Sequence, residues 1–218
     1  MPISRRDLIL GAAAAGASIV AGACRRTTDQ GGAAAGSQGG SPSSTTAAGG
    51  AAGTAATLAP TPACGDDPTP AQTEGPFFTS GSPTNANLAA GVGGGTRLAL
   101  AGAVLTTTCQ PVRGAKLDFW QADDGGEYDN QGFRLRGHVF TDEQGRYQIT
   151  TVVPGLYSGR TRHIHVKAQA PGGRPLTTQL YFPGEAANAR DGLYRKGCEM
   201  AVADGADGGK EASFTFVL

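Results

Sequence analysis

Long apolar runs, net charge and aromatic side chains are all scarce in this chain, and each scarcity excludes something. The most apolar run, residues 8–23, is 16 residues long, short of the roughly 20 that cross a bilayer as a helix. No integral membrane fold is expected. Lys and Arg number 18 against 18 Asp and Glu, so the basic excess usual in a nucleic-acid-binding domain is missing, and no nucleic-acid partner is expected. Histidine occurs three times and cysteine four times, with no C-x-x-C pair, which removes the usual cysteine zinc site. No long stretch keeps a 3.6-residue apolar period. Aromatics make up 6% of the chain, and all 14 lie between Phe77 and Phe216, whereas residues 27–63 hold one charge, Asp29. The globular part is therefore about 155 residues, 64–218, enough for one domain with its own core. It carries 14 basic and 16 acidic residues.

What precedes the domain reads as an address. Ser4-Arg5-Arg6-Asp7-Leu8-Ile9-Leu10 followed by an uncharged run to Ala23 has the outline of a twin-arginine export signal over residues 1–24. Ala21-Gly22-Ala23-Cys24 can be a lipoprotein cleavage site, with Cys24 lipidated as a membrane tether; cleavage after a small residue without lipid is the alternative. Residues 25–63, rich in Gly, Ala, Ser and Thr, have the composition of a flexible linker that cannot bury enough apolar surface to order itself. The expected location is outside the cytoplasm, periplasmic or otherwise extracytoplasmic. With Cys24 set apart, Cys64, Cys109 and Cys198 form at most one bridge and leave one thiol, and spacing does not say which.

From residue 97 onward, short alternating or apolar stretches are separated by Gly, Pro, Asp and Asn. Strands are expected at Arg97–Leu105, Ala115–Trp120, Leu135–Phe140, Arg146–Val153, Arg162–Gln169, Leu176–Phe182 and Ala212–Val217. That spacing predicts an all-β fold, an antiparallel β-sandwich with long loops. A helical turn is expected within Glu185–Tyr194.

The segment richest in chemistry is Arg160-Thr161-Arg162-His163-Ile164-His165-Val166. On a strand, alternate side chains share a face, so His163 and His165 point together, with Cα atoms roughly 6–7 Å apart, while Ile164 and Val166 face the core. Two imidazoles so placed can reach one metal at about 2.0–2.1 Å; two solvated surface histidines would give the same spacing. His138 has no such partner and reads as structural. Tyr128 and Tyr157 each follow a turn-rich loop, and packing alone would explain either one.

The order of motifs resembles the intradiol ring-cleavage dioxygenases, which open catechol and protocatechuate rings, and is most similar to their shorter exported relatives. The stretches that carry the resemblance are Thr73-Glu74-Gly75-Pro76-Phe77-Phe78, Asp118 through Tyr128, Leu135-Arg136-Gly137, Pro154 through Arg160, His163-Ile164-His165 and Thr178-Gln179-Leu180-Tyr181-Phe182. The resemblance implies a non-haem Fe(III) cofactor held by Tyr128, Tyr157, His163 and His165. It implies a catechol-like diol and O2 as substrates, and a cis,cis-muconate-type product. It makes Tyr157 the ligand that leaves on substrate binding, Arg160 a fixed positive charge beside the ring, and Gln179 the side chain that orients Arg160. Phenolates are hard anionic donors suited to a trivalent ion, and neutral imidazole is an accepted iron ligand. The Glu74-Gly75-Pro76 loop is implied to pass near the pocket.

Three features depart from the family pattern. The chain reads Arg160-Thr161-Arg162 where the aromatic-catabolic enzymes usually read Arg-Pro-Ala, and only five residues separate Tyr157 from His163. The long helical N-terminal segment of the catechol enzymes is also missing. The competing reading is a surface β-sandwich that has kept the fold as a binding or adhesion module. Arg134, Arg136 and Arg162 are candidates to receive a substrate carboxylate. Oligomeric state is left open.

Overall fold

The structure is a computed structural model that describes Cys64 and residues 67–218. The export signal, the candidate lipidation site Cys24 and the linker lie outside the described residues.

Eight strands follow in chain order: β1 Arg97–Leu105, β2 Lys116–Trp120, β3 Arg136–Phe140, β4 Arg146–Val152, β5 His163–Gln169, β6 Leu176–Tyr181, β7 Ala201–Asp204 and β8 Lys210–Val217. Two 3₁₀ turns, Ala186–Arg190 and Lys196–Cys198, lie between β6 and β7. No α-helix occurs among the described residues, and the fold is all-β. Seven of the strands match the expected segments to within two residues. The eighth, β7, is four residues long, too brief to carry an alternation of its own. The helical turn expected in Glu185–Tyr194 is the first 3₁₀ turn.

The strands form two four-stranded sheets, ordered β4-β1-β8-β7 and β3-β2-β5-β6. Pairing is antiparallel except between β1 and β8, which run parallel from Leu98↔Lys210 to Leu105↔Val217. The expected antiparallel sandwich is thus present, with this one parallel pair inside it. Hairpin spacing reveals antiparallel neighbours, but nothing local marks the direction in which the first and last strands of a domain will meet. Leu98, Leu100, Phe214 and Phe216 from one sheet meet Leu117, Phe119, Ile164, Val166 and Leu180 from the other, all fully buried.

Alternation sends the remaining residues of β2, β5 and β6 to the outer face of their sheet. There Trp120, His163, His165, Gln179 and Tyr181 are nonetheless buried. The covering comes from loops. A Cys64–Cys109 disulfide anchors the start of the first covering segment to the turn after β1, and Cys198 is a buried free thiol.

Candidate metal centre

Sheet register decides which side chains surround the histidines. On β5, His165 lies opposite Trp120 of β2 and Gln179 of β6, and His163 lies opposite Tyr181. His163 Nδ1 is 2.6 Å from the Thr161 carbonyl oxygen. A carbonyl only accepts, so Nδ1 carries the proton and Nε2 keeps its lone pair. That Nε2 is 3.2 Å from Nε2 of His165 and 3.3 Å from the Tyr128 hydroxyl. His163 Nε2 thus stands from each of the other two donor atoms at a separation that one shared ion, bound at about 2.1 Å to each, would produce. The His165 ring is stacked on Trp120, with centroids 4.9 Å apart and planes 7° apart, and its buried Nδ1 has no hydrogen-bond partner.

Two glycines bring the tyrosines in. After β2 the chain turns through Asp123–Glu127, where Asp123 Oδ1 accepts the Gly125 and Glu127 amides at 3.0 and 2.9 Å. Gly126 adopts φ +90°, and Gly155 donates its amide to the Asp123 carbonyl at 2.7 Å. A Cβ at Gly126 would collide with the Leu156 carbonyl, and one at Gly155 with the Gly126 amide. The Tyr128 and Tyr157 loops therefore touch backbone to backbone, which places the two phenol rings edge to face at 5.6 Å. Phe77 completes the wall. It stacks on Tyr128 at 4.5 Å and meets Tyr157 edge-on at 5.3 Å.

The Thr73–Phe78 strap lies over this cluster. An added Cβ on Gly75 would sit 3.6 Å from His165 Cε1. Lys167, the next outward residue on β5, pairs with Glu74 and lies 3.8 Å over the Phe78 ring. The strap is therefore clamped to the strand that carries the histidines.

Electrostatics favour metal-ready imidazoles. Burial pushes His163 down to about 4, and burial, then the neighbouring His163, holds His165 well below the usual histidine value. Both rings are neutral near pH 7, the form that binds metals. Burial raises Tyr128 to about 12 against the opposing pull of Arg160 and Arg136. Its proton leaves near neutral pH only when a cation takes its place. Among the described residues no cluster of three His, Cys, Asp or Glu side chains is arranged to hold a metal. The converging donors are imidazole and phenol, a set that suits ferric iron better than zinc.

Arg160 stands beside the cluster and its charge is felt at Tyr128, His163 and His165. Its Nη2 donates to Gln179 Oε1 at 2.6 Å, and its Nε donates to Asp191 Oδ2 at 2.8 Å. Gln179 is fixed in turn, donating to the Thr73 carbonyl at 2.9 Å and accepting from Tyr181 at 3.1 Å. The sequence reading singled out Arg160 and Gln179 but missed Asp191, Phe77 and Trp120 as parts of the site. Asp191 stands in a loop without a motif, and Trp120 joins through a strand register that no local pattern encodes.

The three arginines considered as carboxylate receivers are engaged elsewhere. Arg136 is fully buried and donates to the carbonyls of Asp129 and Phe77, bracketing Tyr128 from both sides. Arg162 donates to Glu185 and to the Pro154 carbonyl, and Arg134 pairs with Asp123 at 3.0 Å. They hold the loops that carry the tyrosines. A cleft of about 340 Å³ lined by Ala71, Gln72, Thr73, Leu193 and Arg195 borders the Arg160–Gln179 network through Thr73.

A sandwich with imidazoles on an outer strand face, phenols from two loops and a fixed arginine beside them defines a class of protein. A family model described as a dioxygenase matches residues 73–218, and the chain belongs to the intradiol ring-cleavage dioxygenase family. It is similar to the solved dioxygenase domain of a dioxygenase–carbohydrate-binding protein fusion from Streptomyces sp. SirexAA-E, with 53% identity and a TM-score of 0.68, covering 70% of this chain and 98% of that one. Catechol 1,2-dioxygenase of Acinetobacter baylyi is 28% identical over 158 residues, 59% of this chain and 51% of that protein. The protocatechuate 3,4-dioxygenase beta chain of Burkholderia cepacia is 32% identical over 125 residues, 49% of this chain and 53% of that protein. The chain spans about half the length of the curated relatives it matches.

Proposed function

We propose that the protein holds non-haem Fe(III) through Tyr128, Tyr157, His163 and His165 and cleaves a catechol-like diol between its two hydroxyl-bearing carbons. One ring C–C bond breaks and both atoms of O2 enter the product, a cis,cis-muconate-type diacid, so no outside reductant is needed. The observation that carries this reading is the meeting of the His163, His165 and Tyr128 donor atoms at 3.2 and 3.3 Å with the His163 lone pair free. Ferric iron bound there would supply Lewis acidity, a template for both diol oxygens and an electron acceptor.

The chain's own residues divide the remaining work. Tyr128 is braced by Phe77 and bracketed by Arg136, which suits a permanent ligand. Tyr157 is half-buried on its loop, a position suited to leaving the metal and accepting a diol proton on its hydroxyl oxygen. Arg160, held from two sides, offers a fixed positive charge to the negative charge that builds on the ring, and needs no reorganisation to do so.

Purified protein reconstituted with iron is expected to show a visible tyrosinate-to-iron absorption that shifts when catechol is added without oxygen. A panel of substituted catechols is then expected to give diol-dependent oxygen uptake. A colourless protein that takes up no oxygen after careful reconstitution would favour the binding module.

The proposal extends to location. The paired Arg5-Arg6, the apolar run and the spacer after Cys24 support twin-arginine export and a lipid tether outside the cytoplasm. Intact mass of the membrane-extracted mature protein is expected to show a lipid on an N-terminal Cys24. An unlipidated N-terminus would remove the tether.

A further inference from the structure

The segment that enters β5 is not held by the sheet. Arg160 and Thr161 precede the first paired residue, His163, yet Thr161 is fully buried and the Arg160 side chain is only 19% exposed. Both are fastened from the turn after β6. Asp191 follows the 3₁₀ turn Ala186–Arg190, and its side chain is only 2% exposed. Its Oδ2 accepts Arg160 Nε at 2.8 Å and the Thr161 amide at 2.9 Å, and its Oδ1 accepts the Leu193 amide at 2.9 Å. Asn188 in the same turn accepts the Thr161 hydroxyl at 2.6 Å. Across the Thr161 Cα from the amide that Asp191 binds is the carbonyl that accepts His163 Nδ1 at 2.6 Å.

We infer that Asp191 is a positioning residue for the ring-cleavage site, orienting the Arg160 guanidinium directly and fixing the Nδ1–H tautomer of His163 through the Thr161 backbone. One carboxylate thereby sets two properties that the chemistry needs together. The guanidinium is held beside the donor cluster, and the lone pair of Nε2 is kept for the metal. The buried site favours this arrangement because a carboxylate accepting three donors leaves none of those donors unpaired. The inference rests on the proposed reaction for its effect on turnover, but its effect on His163 does not.

The test is Asp191→Asn in the full chain. A carboxamide has one acceptor oxygen, so it cannot satisfy the Arg160 and Thr161 donors on one side and the Leu193 amide on the other. The first readout is the imidazole ¹⁵N spectrum of metal-free protein, which is simple because the chain has three histidines. The parent is expected to show His163 as a single Nδ1–H tautomer, and the variant a mixture of two. The second readout is kinetic: kcat is expected to fall about 10–100-fold with KM changed less than about 3-fold, the range typical of groups that orient metal ligands. Arg160→Ala, which leaves the Thr161 tie intact, is expected to lose turnover while His163 stays in one tautomer.

A His163 signal that remains wholly Nδ1–H in Asp191→Asn overturns the inference, as does a kcat within about twofold of the parent. If the parent cleaves no diol at all, the proposed reaction fails and the tautomer readout alone decides. Should the Asn variant not fold, Asp191→Glu carries the same two readouts. Its longer arm keeps the charge but cannot reach the Thr161 and Leu193 amides together, and the same mixture of tautomers is expected.

Discussion

An Arg160→Ala protein is expected to load iron with an unchanged visible spectrum and to turn over catechol about 10²–10³-fold more slowly, the cost of removing one preorganised charge partner from a reacting centre. The variant is informative because its neighbours keep their other hydrogen bonds. Asp191 keeps the Thr161 and Leu193 amides, and Gln179 keeps the Tyr181 hydroxyl and the Thr73 carbonyl. The carboxylate left without its charge partner costs stability, so the melting temperature is measured beside turnover to separate that cost from the loss of catalysis. Iron content, the absorption band and kcat measured on one preparation decide the matter. Full turnover would show that the guanidinium only neutralises Asp191.

His165→Phe is expected to have the larger effect. Phenylalanine preserves the stack on Trp120 and most of the volume, and His165 Nδ1 has no partner to lose. The stability change should stay below about 1.5 kcal/mol, as for other volume-conserving swaps. What disappears is one of the two facing Nε2 atoms. Iron bound per chain should drop to a small fraction of the parent's, and turnover should fall by about 10³-fold or more, since the metal supplies several kcal/mol of the barrier lowering. Elemental analysis after dialysis against a mild chelator, with the melting temperature as a control for folding, makes the comparison. A fully loaded His165→Phe protein would remove His165 from the metal site.

Different parts of this molecule were legible in the sequence to different degrees, for physical reasons. The period-2 pattern of His163 to Gln169 announces which residues face the core, because a strand gives each side chain only two choices. Ile164 and Val166 are fully buried in that core. The same rule put the two imidazoles together. Tyr128, Tyr157 and the Arg160–Gln179 pair were reached by likeness of motif, not by pattern, since loop conformation depends on contacts far along the chain. Gly126 and Gly155 show why. Each is an ordinary turn glycine in sequence, and only their mutual approach in space makes room for two phenol rings. Asp191 was invisible for a related reason: its three acceptor bonds go to residues 2, 30 and 31 positions away, and a carboxylate after a short 3₁₀ turn carries no signature of its own.

The parallel contact between β1 and β8 bears on how the protein is made. Strands β2, β3, β5 and β6 all lie within residues 116–181, so the histidine-bearing sheet is complete in the chain before β7 and β8 are made. Its partner sheet is not: β1 waits with one open edge until residues 210–217 arrive to fill the centre of that layer. Phe214 and Phe216 arrive with β8, and they pack into the core between both layers. A nascent or truncated chain that stops short of β8 would expose that oily interior and an unpaired strand edge, the features that invite aggregation and proteases.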